Sequence, residues 1–271
     1  MTQARFDQHI HSSFSYDAEP DSTMSGIIGA AIAKGLAGIA ICDHLDPLWP
    51  DDKEPSVIDI PAYEEALNEA AASLCDNRLQ FAKGIELGLM PGEALNVCRQ
   101  TVTGYPYDFV IASVHSSSVA PLDYPAFLEG RPLKSIIDEY YTLLFESLKT
   151  YKDYDVIGHI NHIDRYTDGF APEEMYMPYA DEILKLIVQD GKGLEINTSS
   201  YRYGIEERGT PSLPILKRFF ELGGEILTIG SDAHKIGQIG AFLEEGERLL
   251  RATGFRYFAV FKERQPEFFR L

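Results

Sequence analysis

The sequence predicts an α/β barrel, in which parallel strands alternate with helices around one core. Three observations carry this. Short runs rich in β-branched and apolar residues alternate with helical patterns along the chain, the mark of repeated βα units. Seven such runs are present. Every run also ends in a polar residue of metal-ligand or catalytic type, and a parallel barrel gathers its strand ends on one face, where active sites of such enzymes lie. At 271 residues the chain is within the range in which an α/β barrel is one domain.

The elements follow in order. Strands are expected at 4–10 (ARFDQHI), 38–42 (GIAIC), 79–87 (LQFAKGIEL), 109–114 (FVIASV), 154–160 (YDVIGHI), 193–198 (GLEINT) and 225–231 (EILTIGS). The first helix takes Asp21 or Ser22 as its cap and ends at Lys34-Gly35. Apolar residues at helical spacing mark further helices at 61–74, 134–151, 172–189, 211–222 and 240–253. Several open with proline in the first turn, where its missing N–H costs nothing. The stretch 88–107 matches neither period.

Composition narrows the function. Apolar residues make up 45% of the chain and aromatics 11%, enough for a sizeable core. The formal net charge is -18, from 42 acidic and 24 basic residues, so the surface repels nucleic-acid polymers and anionic membranes. The apolar stretch from Gly26 to Cys42 contains Lys34 and divides into helix, turn and strand, short of the ~20 residues of a bilayer span. MTQARFDQH has no apolar signal-peptide region, and three cysteines (Cys42, Cys75, Cys98) stand at no metal-like spacing. The expectation is a cytoplasmic protein with reduced thiols.

The candidate site is built from strand ends. His9 and His11 close the first strand, Asp43 and His44 follow the second, Glu86 ends the third, His115 the fourth and His159 the fifth. Glu195 and Asn197 sit in the sixth, and Asp232 and His234 follow the seventh. Side chains alternate along a strand, so His9 and His11 share a face, as do Asp232 and His234. Any one histidine fits a hydrogen-bonded core residue, and Glu86 fits a buried salt bridge. As a set they fit coincidence poorly, because six of the seven histidines fall at strand ends. The seventh, His162, lies three residues beyond His159 and takes no ligand role. Arg165 and Arg202 fit either surface ion pairs or a clamp whose guanidinium forks match phosphate oxygens. The chain has no Gly-rich phosphate loop, GxSxG elbow or Cys-His nucleophile arrangement.

The order HxH, Asp, DH, GxE, VH, GH and SDAH resembles the PHP family, the polymerase and histidinol phosphatase type of metal-dependent phosphoesterase. The resemblance runs from Asp7 to the closing FKERQPEFFRL. The segments GHINHIDRY, EINTSSYRYG, TIGSDAH and FKERQP bring it closest to the histidinol-phosphatase branch. It implies a distorted (β/α)7 TIM-like barrel, one domain over 1–271, holding two to three divalent metal ions. Carried over residue by residue, His9, His11, Glu86 and Asp232 would bind the first ion. Glu86 would bridge to a second, completed by His115 and His159, and Asp17, His44 and His234 would hold a third. Histidine and carboxylate without thiolate suit Zn, Fe or Mn.

Arg165 and Arg202 match the arginines that grip the substrate phosphate, and Asp232 and a metal-bound water are the two candidates for protonating the leaving alcohol. The implied reaction is hydrolysis of a small phosphate monoester, L-histidinol phosphate, to L-histidinol and phosphate in histidine biosynthesis. The alternative is a PHP phosphatase acting on nucleotides or another small phosphate. An amidohydrolase-like barrel also begins with HxH, but it usually places a bridging lysine at a middle strand's end, where Glu86 stands here. The chain departs from the branch at Asn161, where Asp is common, and at Ser116–Ser118, where an apolar residue is usual.

Overall fold

In the computed structural model, which describes residues 4–47, 58–74, 79–167, 170–205 and 209–271, each expected run forms a strand. They are β1 (Phe6–Ile10), β2 (Gly38–Ile41), β4 (Gln80–Gly88), β5 (Phe109–Ser113), β6 (Val156–Ile157), β7 (Gly193–Asn197) and β8 (Leu227–Gly230). All pair in parallel, in the order β1-β2-β4-β5-β6-β7-β8. A bridge between Ile10 and Ala233, with His11 N donating to Ala233 O at 2.8 Å, closes β8 onto β1. The result is a seven-strand parallel ring of the TIM-like kind. One element goes beyond it: the two-residue β3 (His44–Leu45) pairs with β4 and sets His44 opposite Glu86.

Strands buried on both faces are expected of a parallel sheet covered by helices. β1 is buried at every position although it reads FDQHI. Its polar side chains are satisfied one by one, as buried polar groups must be. The Asp7 carboxylate accepts from Ser231 N at 2.8 Å, Ser231 Oγ at 2.6 Å and Gly240 N at 2.7 Å, which ties β1 to the segment after β8. Gln8 donates to Ala259 O at 2.6 Å and accepts from Phe261 N at 3.2 Å.

The helices are α1 (Met24–Ala33), α2 (Ile60–Ser73), α3 (Glu93–Gly104), α4 (Pro125–Leu128), α5 (Leu133–Thr150), α6 (Glu173–Gln189), α7 (Leu213–Glu221) and α8 (Leu243–Thr253). The cap of α1 is Thr23, whose Oγ1 accepts from Gly26 N, and not Asp21 or Ser22. Ser22 is committed elsewhere: its hydroxyl donates to His234 O at 3.1 Å and its carbonyl accepts from Ser13 N. The unassigned stretch 88–107 contains α3, which buries Leu95, Cys98 and Val102 on one face. Among the described residues no helix is long and apolar enough to cross a membrane. Cys42 and Cys98 are buried free thiols; Cys75 lies outside the described residues.

The chain closes with an antiparallel hairpin, β9 (Tyr257–Lys262) and β10 (Gln265–Arg270), which the strand pattern did not anticipate. Its two-residue turn holds Glu263 and Arg264 at φ 50° and 63°. That turn docks on the N-terminal ends of the barrel strands: Glu263 N donates to Asp108 Oδ1 at 2.9 Å, and Arg264 Nε to Asp155 Oδ2 at 2.6 Å. Above it, Ala259 and Phe261 join Ala40, Cys42, Ala82, Phe109, Ile111 and Val156 in a small apolar cluster, with Phe261 stacked 5.0 Å from Phe109. The hairpin plugs the barrel floor, and the opposite, C-terminal end carries the histidines.

Candidate metal centre

The site is organised around one carboxylate. Glu86, fully buried near the end of β4, places Oε2 3.3 Å from His9 Nε2, 3.6 Å from His11 Nε2 and 2.9 Å from His44 Nδ1. Its Oε1 lies 2.9 Å from His159 Nε2 and 3.3 Å from His115 Nε2, and accepts from Ser113 Oγ at 2.6 Å. Five imidazoles from four segments thus converge on one side chain. The second carboxylate, Asp232, sets Oδ1 3.3 Å from His11 Nε2 and 3.6 Å from His234 Nδ1. Asp17 stands at the edge, 40% exposed, with His234 Nε2 at 3.1 Å and His44 Nε2 at 3.6 Å.

Ligand-type atoms cluster within 4.8 Å of one another in three groups: His9 with His11 and Asp232, His44 with Glu86 and His115, and His11 with His44 and His234. The first is the expected first set without Glu86, and in the third His11 stands where Asp17 was expected. His44, expected beside Asp17 and His234, also reaches Glu86 and so links two groups. His159 touches Glu86 from the remaining side. All nine expected residues are brought to one end of the barrel.

The donors fit divalent cations. His9 and His11 point their Nε2 atoms at each other across 3.0 Å. Among the described residues, Glu86 Oε2 and, facing the same carboxylate, His44 Nδ1 and His115 Nε2 are buried in close approach without a well-formed hydrogen bond. Leaving a buried polar atom unpaired costs about 1–3 kcal/mol, so several at one point call for a shared positive partner.

Electrostatics agrees. Burial pushes the Glu86 carboxyl up, but His115, His9 and His44 outweigh it and hold it well below the carboxylate range. Asp232 is likewise held well below, burial being overcome by its bond to His11 and by Arg165. Burial, His234 and His44 push His11 well below its ordinary value, toward the neutral imidazole that ligates metal. Burial lowers His115 too, yet Asp46 and Glu86 lift it to about 9. At that position a proton and a cation compete for the same acidic neighbours.

Residues behind the ligands fix their orientation, as outer partners of metal-binding histidines do. His9 Nδ1 lies 2.5 Å from Glu195 Oε1, and His115 Nδ1 2.9 Å from Asp46 Oδ1. His11 Nδ1 meets Ser15 Oγ at 3.0 Å, and Ser15 and Ser12 both donate to Asp43. Asp43 therefore anchors the SSFSY loop and belongs to none of the three ligand groups. Gly230 is required by this crowding, because a Cβ there would lie 2.4 Å from His9 Cβ and 2.6 Å from Glu195 Oε1.

Among the described residues, neither arginine makes the surface ion pair that the sequence left open. Arg165, with its side chain 9% exposed, donates through Nη2 to Asp232 Oδ2 at 2.9 Å and to Ser199 Oγ. Its guanidinium lies over the Tyr203 ring at 4.5 Å. Arg202 donates to the carbonyls of Ser231 and, at 2.7 Å, Asp232. Both line a cavity of about 500 Å³ together with His44, His115, His159 and His234. His162 lines it too, with Nε2 3.0 Å from Tyr166 Oη. Asn161 holds its turn by donating to Asp164 Oδ2 and Gly209 O, each at 2.9 Å.

Residues 7–199 match the PHP-domain family model. A probable histidinol-phosphatase of Clostridium acetobutylicum is 32% identical over 239 residues, 87% of this chain and 88% of its own. The histidinol-phosphatase of Lactococcus lactis is 27% identical over 261 residues, 95% and 94% of the two chains. Among solved structures, a Lactococcus lactis histidinol phosphate phosphatase complexed with zinc, L-histidinol and phosphate superposes with a TM-score of 0.86 at 26% identity, covering 97% of this chain and 98% of that one.

Proposed function

The chain belongs to the PHP-domain family, and from that premise we propose that it is a metal-dependent phosphomonoesterase converting L-histidinol phosphate and water to L-histidinol and phosphate. The observation that carries this is Glu86, one buried carboxylate within 2.9–3.6 Å of five imidazoles, with two arginines in the same cavity. Near-complete overlap with relatives bearing the histidinol-phosphatase name supports the choice of substrate. The family match covers residues 7–199; that β8, which leads to Asp232 and His234, pairs within the same ring supports reading 1–271 as one PHP domain.

In this reading His9, His11, Glu86 and Asp232 would hold one ion, Glu86 with His115 and His159 a second, and Asp17, His44 and His234 a third. Zn, Fe and Mn are the ions this donor set suits. Bound ions of this kind polarise phosphoryl oxygens and lower the pKa of water toward ~7. The chain's own residues do the rest. Arg165 and Arg202 neutralise the non-bridging phosphate oxygens with charge-assisted hydrogen bonds. Asp232 joins the two halves of the site, since Oδ1 faces His11 while Oδ2 holds Arg165 in place. Across the reaction the ester P–O bond breaks, a water oxygen joins phosphorus, and a proton from that water ends on the leaving alcohol.

Phosphate release from a panel of L-histidinol phosphate, mononucleotides and phosphotyrosine tests the substrate. The expected kcat/KM for L-histidinol phosphate exceeds the others by about a hundredfold or more, as a site with groups matched to one alcohol allows. Equal or faster turnover of mononucleotides assigns the chain to the nucleotide alternative, and no release from any ester overturns the proposal.

A further inference from the structure

The phosphate half of the ester has its arginines; the alcohol half has no partner in the site described so far. We propose that Asp123 binds an ammonium group on the alcohol half of the substrate and so selects phosphate esters of amino alcohols. This rests on the monoesterase reading above.

Three carboxylates line the cavity: Asp17, Asp123 and Asp232. Asp17 is spent on His44 and His234, and Asp232 on His11 and Arg165. Asp123 makes no ion pair among the described residues, its carboxylate accepts from its own backbone N–H, and it stands exposed at the rim. It is nonetheless held in place. It ends a short loop that starts at His115 and is pinned by Leu122 N to His115 O at 3.0 Å, Ser117 N to Ala120 O at 2.9 Å and Ser117 Oγ.

The cavity is polar from end to end. Arg165 and Arg202 mark its phosphate end, and the third cation on its lining, Lys235, is paired with Glu19 at 2.7 Å. Tyr166 follows Arg165 in sequence and lines the same cavity as Asp123, so the cationic end and the unpaired carboxylate face one enclosed space. Tyr16 and Tyr203 line this cavity as well. Aromatic residues and a carboxylate lining one cavity are a fitting enclosure for an organic cation. L-Histidinol phosphate has this polarity, with a dianionic phosphate on one carbon and an ammonium on the next. A neutral alkyl or aryl phosphate would leave Asp123 unpaired beside its own leaving group.

Asp123→Asn in the metal-loaded enzyme tests this, since the amide keeps shape and removes charge. KM for L-histidinol phosphate is expected to rise about tenfold, the effect of losing one charged hydrogen bond at a rim position, with kcat nearly unchanged. KM for phenyl phosphate should stay the same or fall. Calorimetric affinity for L-histidinol should drop by the same factor, and Asp123→Glu should recover part of it. An unchanged KM for L-histidinol phosphate, or an equal rise for both esters, overturns the assignment and leaves Asp123 a solvated rim residue. Failure of the substrate reading appears separately, as a wild-type enzyme inactive on L-histidinol phosphate. O-Phosphoethanolamine then replaces it, and Asp123→Asn must still erase a preference for that ester over phenyl phosphate; a wild-type enzyme with no such preference refutes the inference.

Discussion

Replacing Glu86 by glutamine is expected to strip the site of its bridged ions and lower turnover by about a thousandfold, since metal assistance is worth several kcal/mol. The side chain keeps its size, so the loss comes from charge. Five imidazoles lie within 3.6 Å of this carboxylate, the one acid that all of them share. A neutral amide is also a poor bridge between two cations. Elemental analysis and phosphate release on the purified variant check this together. Wild-type metal content with turnover within about tenfold of wild type would show that Glu86 is a structural acid.

Arg165→Ala is the second large effect, a fall in kcat/KM of roughly ten- to a hundredfold with metal content unchanged. Two losses combine. A guanidinium fork leaves the phosphate end of the cavity, and Asp232 Oδ2 loses its partner at 2.9 Å. Lysine should not restore the rate, because a point charge cannot reproduce a fork that serves Asp232 and phosphate at once. Arg202 differs in kind, since its guanidinium already donates to the carbonyls of Ser231 and Asp232. A wild-type kcat/KM for Arg165→Ala returns Arg165 to the role of a buried salt bridge.

How much of this was legible in the sequence follows from which interactions are local. The ring of strands was legible because each strand announces itself in its own run of apolar and β-branched residues, and a ligand at each strand end needs only parallel order to be gathered. β3 was not, because two residues carry no period and their pairing depends on β4, some forty positions away. The α3 segment lacks a side-chain cap, and its N-cap Gly92 sits at φ 103°, so the usual start signal is absent. The hairpin was hidden by its turn: Glu263-Arg264 adopts the left-handed region that normally calls for Asn-Gly or Asp-Gly, held there by Asp108 and Asp155. Asp46 escaped notice because its contact with His115 spans 69 residues. Glu195 showed the same signal as Glu86, an acid within an apolar strand; only the closed barrel separates a carboxylate that orients His9 from one that faces the ligand cluster.

The measurement that bears most directly on the whole account is metal content set beside activity. The protein as purified, assayed for phosphate release before chelation, after it and after metal is returned, should hold about two to three transition-metal ions per chain, lose activity with them and regain it on their return. Substoichiometric metal with phosphatase activity intact would contradict it.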